Sequence, residues 1–166
     1  DRYPDGRITD KEFAENILRL PDTGHISLLD RQRLHTAPPL PYRLSRLQKD
    51  ASARFGLKAD EVLAICQSLY EKHKLTSYPR TDCDYLPESQ HAEAPAIISA
   101  LAVIHPGLQA LLPQANPGLK SSAWNDKKVT AHHAIIPVRG DGATVADLSD
   151  KERKVYDLIA RTYLAQ

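Results

Sequence analysis

The chain has 166 residues, of which 42% are hydrophobic and 26% are charged, enough to bury one sizeable core or one core with a small appendage. Its formal net charge is only +1, which excludes the strong overall positive field of a highly basic nucleic-acid-binding protein. The two cysteines lack the spacing of a zinc site or of a disulfide framework, and no apolar run reaches membrane-spanning length, so we expect a reduced intracellular compartment.

The first forty residues predict one helix and one strand. Thr9 to Glu12 has the form of a capping box and predicts a helix over about 9 to 20 that ends at Pro21. Alternating apolar residues predict a strand within Gly24–Leu34, which leads to the proline-rich segment Pro38–Pro41. Such a proline cluster is typical of a joint between two parts of a chain.

Two helices are predicted between this joint and residue 75. Ser45 to Gln48 again has capping-box form and predicts a helix that runs to Phe55, with Gly56 as its terminator. The next helix is predicted over about 59 to 73, because apolar residues recur there at intervals of three and four. These residues are Val62, Leu63, Cys66, Leu69 and Tyr70. A packed helix that delivers the chain to Tyr78 would hold this residue more firmly than a long loop.

The second half of the chain is also predicted to be mainly helical. An apolar, alanine-rich stretch predicts a buried helix over about 90 to 104, with a break or a fresh start at Pro95. A short helix over 108 to 112 and then a loop are expected next, and Trp124 is expected at the edge of the core. Ser149 caps a last amphipathic helix that continues to the end of the chain.

Basic residues cluster in two stretches that are candidates for local patches. The first contains Arg31, Arg33, Arg43, Arg46 and Lys49, and the second contains Lys120, Lys127 and Lys128. For each single residue, a solvated charge on an exposed face is the alternative to a nucleic-acid contact.

The segment Leu75–Asp82 reads Leu-Thr-Ser-Tyr-Pro-Arg-Thr-Asp and carries the strongest chemical signal. In an extended backbone alternate side chains share a face, so Thr76, Tyr78, Arg80 and Asp82 would point the same way. Pro79 favours extended geometry at the residue before it. The segment therefore predicts a phenol beside a cation and a carboxylate.

This arrangement favours phosphoryl transfer with Tyr78 as nucleophile. A phenol has an ordinary pKa of about 10, so a reactive tyrosine needs a nearby positive charge, for which Arg80 is the local candidate. The planar donor fork of an arginine also suits phosphate oxygens and the charge that builds on a phosphoryl group in transit. The alternative is that the Tyr-x-Arg pair serves only packing and surface charge.

A second segment, Asp126–Pro137, reads Asp-Lys-Lys-Val-Thr-Ala-His-His-Ala-Ile-Ile-Pro. Together, the tyrosine segment and Ala131–Pro137 resemble the corresponding motifs of type IA DNA topoisomerases, and the paired histidine resembles the topoisomerase III branch. Three further stretches agree in the expected order, namely Pro38–Tyr42, Leu44–Ala51 and Gln67–Glu71. The resemblance covers nearly the whole chain.

The resemblance implies roles for three residues. Tyr78 would attack a phosphodiester of single-stranded DNA and keep the 5′ phosphate, Arg80 would steady that phosphate, and His132 would sit near it. The phosphotyrosine would preserve the bond energy without ATP and hold the cut end while another strand passes, and religation would be the reversal of this step. Relaxation of supercoils and separation of linked DNA molecules are both compatible with this chemistry.

Four more residues are candidates for DNA contact or for support of the site. Thr76 belongs to the tyrosine segment. Asp82 would orient Arg80 or a neighbouring donor, with a role in a turn or a cap as the alternative. Gln67 would line its helix or contact DNA, and His133 is the partner of His132, although only one of the two adjacent histidines is expected to face DNA.

The predicted fold is mainly α with a small β component. The resemblance implies a helical tyrosine-bearing domain over 39–166 and, over 1–38, the end of a neighbouring β-rich arch. The chain contains no methionine, even at position 1, so we expect a piece of a longer protein. The implied location is the bacterial cytoplasm, in association with the nucleoid.

No metal site is predicted in this chain. Asp82 and Asp84 have the spacing of a magnesium pair on a strand. In the resembled family, however, the metal-binding acidic residues lie in a separate N-terminal domain, so Mg²⁺ is expected in the full-length enzyme and not here. This chain alone should therefore cleave poorly or not at all.

Two alternatives to an enzyme follow from the same residues. One is a helical module that binds single-stranded nucleic acid without chemistry, with Tyr78 and Trp124 stacked on bases. The other is a purely structural or protein-interaction domain. Formation of a covalent adduct with DNA distinguishes the enzyme from both.

Overall fold

The computed structural model describes residues 8–19, 26–34 and 36–166. Its α-helices are α1 (Lys11–Ile17), α2 (Leu44–Phe55), α3 (Ala59–Gln67), α4 (Ala94–Ile104) and α5 (Asp150–Leu164). A π-helical turn, Ser68–Lys72, continues α3. Short 3₁₀ turns lie at Glu88–Glu93, Pro106–Leu108, Leu112–Gln114, Asp126–Lys128 and Val145–Asp147. The β component in the described ranges consists of isolated bridges, so the mainly α prediction is confirmed.

The chain divides into two compact units, residues 1–36 and 37–166. In the first unit, α1 starts after Asp10, whose carboxylate accepts a hydrogen bond from the backbone N–H of Phe13. The helix is shorter than predicted, and the predicted stop at Pro21 lies outside the described residues. The assignment of residues 1–38 to the end of an arch stays a prediction.

The strand predicted within Gly24–Leu34 does not form in residues 26–34, the part of it that the structure describes. Ile26 and Leu28 are each 83% exposed. An extended stretch becomes a strand only when a neighbouring backbone supplies hydrogen bonds, and alternation of apolar residues cannot provide that neighbour.

Helix α2 starts two residues earlier than its sequence suggests and ends where predicted. Arg43, not Ser45, occupies the N-cap position and makes no side-chain cap. Instead, the backbone N–H of Leu44 donates to the carbonyl of Thr81 at 3.0 Å. The tyrosine segment therefore supplies the acceptor for a backbone N–H that has no partner within the helix. Gly56 ends the helix with φ of +69°, a conformation that glycine adopts at little cost.

The helix predicted over 59 to 73 is confirmed, but its last turn is π-helical. The backbone N–H of His73 donates to Ser68 five residues back, which is the π pattern. Lys74 then leaves the helix with φ of +55°, which is uncommon for a residue with a Cβ. The backbone N–H of Leu75 donates to the carbonyl of Leu69 at 2.9 Å, and this hydrogen bond ties the first residue after the turn back to the helix. The tyrosine segment begins at this point.

In the second half of the chain, the two long helices form as predicted, but the short helix between them does not. Pro95 lies in the first turn of α4, after the 3₁₀ turn at 88–93, so the fresh start is confirmed. The short helix expected at 108–112 is replaced by two 3₁₀ turns. Ser149 and Glu152 form the predicted capping box of α5.

The core of the second unit lies where α2 and α3 pack on α5. The largest fully buried side chains include Tyr156, Leu47, Leu69, Leu75, Leu86, Leu101, Leu108, Ile135 and Ile159. Each such side chain contributes roughly 1.5–3 kcal/mol by leaving water. No helix in the described residues is long and apolar enough to cross a membrane.

One carboxylate joins α5 to the turn that precedes the tyrosine segment. Glu152 accepts a hydrogen bond from the hydroxyl of Ser68 at 2.6 Å and lies 3.5 Å from Nε2 of the buried His73. It also accepts from the backbone N–H and hydroxyl of Ser149 at 2.8 and 2.7 Å. Burial alone would raise the pKa of Glu152, but the hydrogen bonds from Ser68 and Ser149 and the nearby His73 lower it to about 2.

We expect Glu152→Gln to reduce the pH dependence of stability. The folded-state pKa lies below the ordinary value of 4.5, so the carboxylate stabilises the fold above that value and loses this effect as the pH falls toward 2. The loss on mutation at pH 7 should be about 3 kcal/mol at most. Urea unfolding between pH 7 and pH 2 measures it, with the exposed Glu71→Gln as control. Parallel curves for wild type and Glu152→Gln would contradict the assignment.

Candidate active site

The tyrosine segment lies beside the histidine segment and pairs with it through backbone hydrogen bonds. Ser77 N donates to Ile136 O at 2.9 Å, and Val138 N donates to Leu75 O at 3.0 Å. Farther along, Ala134 N donates to Tyr85 O at 2.9 Å. The two motifs that the sequence singles out are therefore brought together in one place.

The side chain of Ser77 completes this pairing. Its hydroxyl donates to the carbonyl of Ala134 at 3.1 Å and accepts from the backbone N–H of Ile136 at 3.0 Å. Ser77 thus makes both backbone and side-chain hydrogen bonds to a segment 57 residues away in the sequence. The sequence analysis did not assign it a role. A small hydroxyl residue on the opposite face of the segment from Tyr78 is the signal that could have identified it.

The predicted alternation of faces holds for three of the four residues. Tyr78, Arg80 and Asp82 are exposed, while Pro79 and Thr81 between them are buried. Thr76 is the exception and is only 3% exposed. It forms a bridge with Pro137 next to the fully buried Leu75, where the segment leaves the core, so a direct contact of its side chain with DNA is excluded in this conformation.

The ring of Tyr78 is held between two other rings. The His132 ring lies 4.6 Å away between centroids, with the planes inclined at 41°. The Tyr70 ring lies 5.7 Å away in an edge-to-face arrangement at 84°. Tyr78 nevertheless remains 36% exposed. The site therefore presents a phenol that is positioned by aromatic contacts and open to a ligand.

Three other tyrosines and both cysteines are poorer candidates in the second unit. Burial raises the pKa of the Tyr42 and Tyr156 phenols above the ordinary value, and it raises the pKa of Tyr163 to about 12, so these phenols are hard to ionise. Burial also raises the pKa of the Cys66 thiol to about 12. Cys83 is buried as well. Exposure and ring contacts thus distinguish Tyr78 from these residues.

The two adjacent histidines have different surroundings. The His132 ring contacts Tyr78. His133 is half-buried, its Nδ1 lies 2.8 Å from the carbonyl oxygen of Ala134, and its side chain lines a cavity beside the segment. Only His132 therefore lies against Tyr78.

Arg80 is exposed and lines an open groove beside the start of α2. Within the described part of the chain it makes no hydrogen bond or ion pair. Asp82 lines the same groove and accepts a hydrogen bond from the hydroxyl of Thr130 at 3.3 Å. The observed partner of Asp82 is thus a neighbouring donor, the second of its two predicted orienting roles, and the Arg80 guanidinium is available to an external anion.

Gln67 lies on the helix that leads to the site, and its contact with DNA stays a prediction. It is the half-buried last residue of α3, three residues before Tyr70, whose ring contacts Tyr78. The recognised Gln-x-Leu-Tyr-Glu stretch therefore also contains an aromatic neighbour of Tyr78 that the sequence analysis read only as a core residue.

The carboxylate of Asp84 already has cationic partners. It forms ion pairs with Arg43 at 3.1 Å and with Arg46 at 3.6 Å, so its charge is compensated. Among the described residues, no group of three or more His, Cys, Asp or Glu side chains is placed to hold a metal ion. That this chain holds no metal stays a prediction.

We expect Ser77→Ala to destabilise the site and the second unit together. The change leaves the Ala134 carbonyl and the Ile136 N–H without their hydroxyl partner, which costs on the order of 1–3 kcal/mol. Urea unfolding measures the loss, with Ser99→Ala on the exposed face of α4 as the matched control. Equal stability of the two variants would contradict the bracing role of Ser77.

Sequence comparison identifies relatives over nearly the whole chain. A family described as DNA topoisomerase matches residues 2–166. DNA topoisomerase 3 of Vibrio cholerae is 46% identical over 164 residues, and the same protein of Salmonella typhimurium is 44% identical over 166 residues. In both cases the match covers 98% of this chain and 25% of the relative, so the chain spans about a quarter of the length of these proteins.

A solved structure is also similar. Full-length topoisomerase I from Thermotoga maritima aligns with 77% of this chain and 20% of its own, at a TM-score of 0.49 and 23% identity. This similarity is too weak to add to the sequence matches, which are decisive by themselves. The chain therefore belongs to the type IA DNA topoisomerases, in the topoisomerase III-like branch.

Proposed function

We propose that the protein of which this chain forms a part cleaves and rejoins single-stranded DNA, with Tyr78 as the nucleophile. The observation that carries the proposal is the exposed phenol of Tyr78, which contacts the rings of His132 and Tyr70 and lies two residues from Arg80, a cation without a hydrogen-bond or ion-pair partner among the described residues. Membership of the topoisomerase family and the names of the relatives support the reaction class.

The chemical step exchanges one phosphodiester for another. The Tyr78 oxygen attacks the scissile phosphorus, the bond to the 3′ oxygen breaks, and that oxygen takes up a proton as the phenol loses one. The 5′ phosphate remains on Tyr78, so the bond energy is conserved and ATP is not needed. Attack by the freed 3′ hydroxyl reverses the step after another strand has passed.

Arg80 and His132 support this step. The guanidinium of Arg80 binds the non-bridging phosphate oxygens, whose charge it stabilises most strongly in the transition state. His132 holds the ring of Tyr78 and brings an imidazole close to the reacting phosphate. Asp82 fixes Thr130 at the edge of the site, and Gln67 and His133 support the surrounding structure.

The rest of the active site belongs to protein outside this chain. A Mg²⁺ ion would help to neutralise the charge of the DNA backbone when bound, and the acidic residues that hold it lie in the remaining domains. The isolated chain therefore cleaves poorly or not at all. The full-length protein works on the nucleoid in the bacterial cytoplasm, by relaxation or by decatenation.

Covalent capture tests the nucleophile. The full-length protein should form a denaturant-stable adduct with labelled single-stranded DNA, and Tyr78→Phe should abolish it, because only the phenolic oxygen is lost. Tyr85→Phe, which removes a hydroxyl that accepts a hydrogen bond from Lys128, is the matched control and should retain the adduct. An adduct with Tyr78→Phe would refute the assignment. Binding without any adduct in the wild type would favour the non-catalytic single-stranded nucleic-acid-binding module.

Arg80→Ala tests the role of the guanidinium. Cleavage should fall by roughly 100-fold while the affinity for DNA falls much less, because the contact is strongest in the transition state. Single-turnover cleavage and equilibrium binding to the same oligonucleotide measure the two effects. Arg54→Ala, in the last turn of α2, is the control. Equal losses of cleavage and of binding would show that Arg80 only binds DNA.

A further inference from the structure

Lys74 adopts a backbone conformation that is unfavourable for its residue type. Among the described residues it is the one residue other than glycine with a positive φ, +55°. In this left-handed region the Cβ atom lies too close to the following carbonyl oxygen, so helices that end in this way usually have glycine there. Helix α2 follows that rule, since Gly56 ends it with φ of +69°. At the end of the π turn a lysine takes the place of the usual glycine.

Backbone hydrogen bonds on both sides hold Lys74 in this conformation. The N–H of His73 donates to the carbonyl of Ser68 at 3.0 Å, and the N–H of Leu75 donates to the carbonyl of Leu69 at 2.9 Å. Glycine at position 74 would leave these hydrogen bonds in place, because none of them uses the side chain of Lys74. Strained positions of this kind cluster at functional sites.

The charge of Lys74 is not neutralised within the described part of the chain. The side chain is exposed, and its ammonium makes no hydrogen bond or ion pair there. Glu93 and Asp141 line the same cavity as Lys74. Glu93 pairs with Arg139 at 3.8 Å, and neither carboxylate pairs with Lys74. The ammonium is thus available to an anion from outside these residues.

The Tyr70 ring connects this ammonium to the nucleophile. The ammonium lies 5.9 Å from the centroid of the Tyr70 ring, and the same ring contacts Tyr78 edge-to-face at 5.7 Å. An ammonium over the face of an aromatic ring is attracted to it, which restricts the position of the charge without neutralising it. Lys74 and Arg80 therefore supply one cation before Tyr78 in the chain and one after it.

We propose that Lys74 binds a backbone phosphate of the DNA strand beside the scissile one, and that a lysine is kept in a glycine position for this contact. This inference rests on the proposed function and adds a binding residue to it. Phosphate is the anion that a strand held at Tyr78 brings to this place, and lysine binds phosphate as a point charge. The contact exists both before and during cleavage, so it contributes to affinity and not to the rate of the bound complex.

The salt dependence of binding tests the contact. Affinity for a single-stranded oligonucleotide is measured over a range of salt concentrations with the full-length protein in the non-cleaving Tyr78→Phe background. Each phosphate contact on a single strand contributes about 0.7 to the slope of log affinity against log salt, because counter-ions are released. Lys74→Met should lower the slope by about 0.7 and the affinity at low salt by roughly tenfold, and Lys74→Arg should retain both.

Lys154→Met is the matched control for the charge. The ammonium of Lys154 lies 5.7 Å from the centroid of the Phe55 ring, in the same kind of contact, and its removal should leave the salt slope unchanged. With Tyr78 present, Lys74→Met should cleave saturating DNA at close to the wild-type rate, in contrast to Arg80→Ala.

Lys74→Gly tests the backbone argument. Glycine removes the ammonium and the Cβ atom together, so the affinity for DNA should fall as in Lys74→Met, while the unfolding temperature of the full-length protein should stay the same or rise. Lys154→Gly, inside α5, should show the opposite pattern, a lower unfolding temperature and unchanged affinity. Calorimetry and the same binding assay measure the two effects.

The inference is overturned if Lys74→Met keeps the wild-type salt slope, which would mean that the ammonium only packs on Tyr70 or pairs with a carboxylate elsewhere in the full-length protein. It is also overturned if Lys74→Gly lowers the unfolding temperature, because the lysine would then be kept for stability. In both cases the wild type still forms its adduct at Tyr78, so the proposed function stands. Absence of any adduct in the wild type would refute that function, and the salt slopes would still report whether Lys74 contacts DNA.

Discussion

The candidate site depends on an irregular pairing between two segments far apart in the sequence. Extended segments that form only isolated bridges leave backbone groups without ladder partners, and here side chains replace those partners. Ser77 bonds to Ala134 and Ile136, the Thr81 hydroxyl accepts from Cys83 N at 3.0 Å, and the Cys83 thiol lies 3.4 Å from Lys128 O. These small residues face inward, so the alternate positions are left free for Tyr78, Arg80 and Asp82.

Helix α3, which precedes the tyrosine segment, restrains that segment at its N-terminal end. The π turn at 68–72 and the positive φ of Lys74 set the direction in which the chain leaves α3. Glu152 contacts residues at both ends of this π turn, because Ser68 begins the turn and His73 follows it. Tyr70 lies within the same turn and contacts Tyr78. A carboxylate on α5 thus restrains the turn that carries Tyr70 and leads to Tyr78, without touching Tyr78 itself.

Much of this architecture could be predicted from local sequence. The α5 cap and the end of α2 at Gly56 are set by residues whose own conformational preferences are strong enough to act without tertiary contacts. The alternation of Tyr78, Arg80 and Asp82 follows from backbone geometry. Three of the failures involve tertiary partners. Thr81 caps α2 in place of Ser45, the core covers Thr76, and residues 26–34 have no ladder partner among the described residues. None of these partners is visible in a local pattern.

The local charges explain how a chain with a net charge of only +1 can keep an unpaired cation in the tyrosine segment, among the described residues. Several residues of the predicted basic patches are neutralised within the fold, since Arg43 and Arg46 pair with Asp84 and Lys120 pairs with Glu88 at 2.7 Å. Lys128 lies over the ring of Tyr85. Arg80 makes no such pair within the described residues. A guanidinium that has no counter-ion among the described residues, two positions from an exposed phenol, concentrates positive potential locally, which a uniformly basic surface would not do.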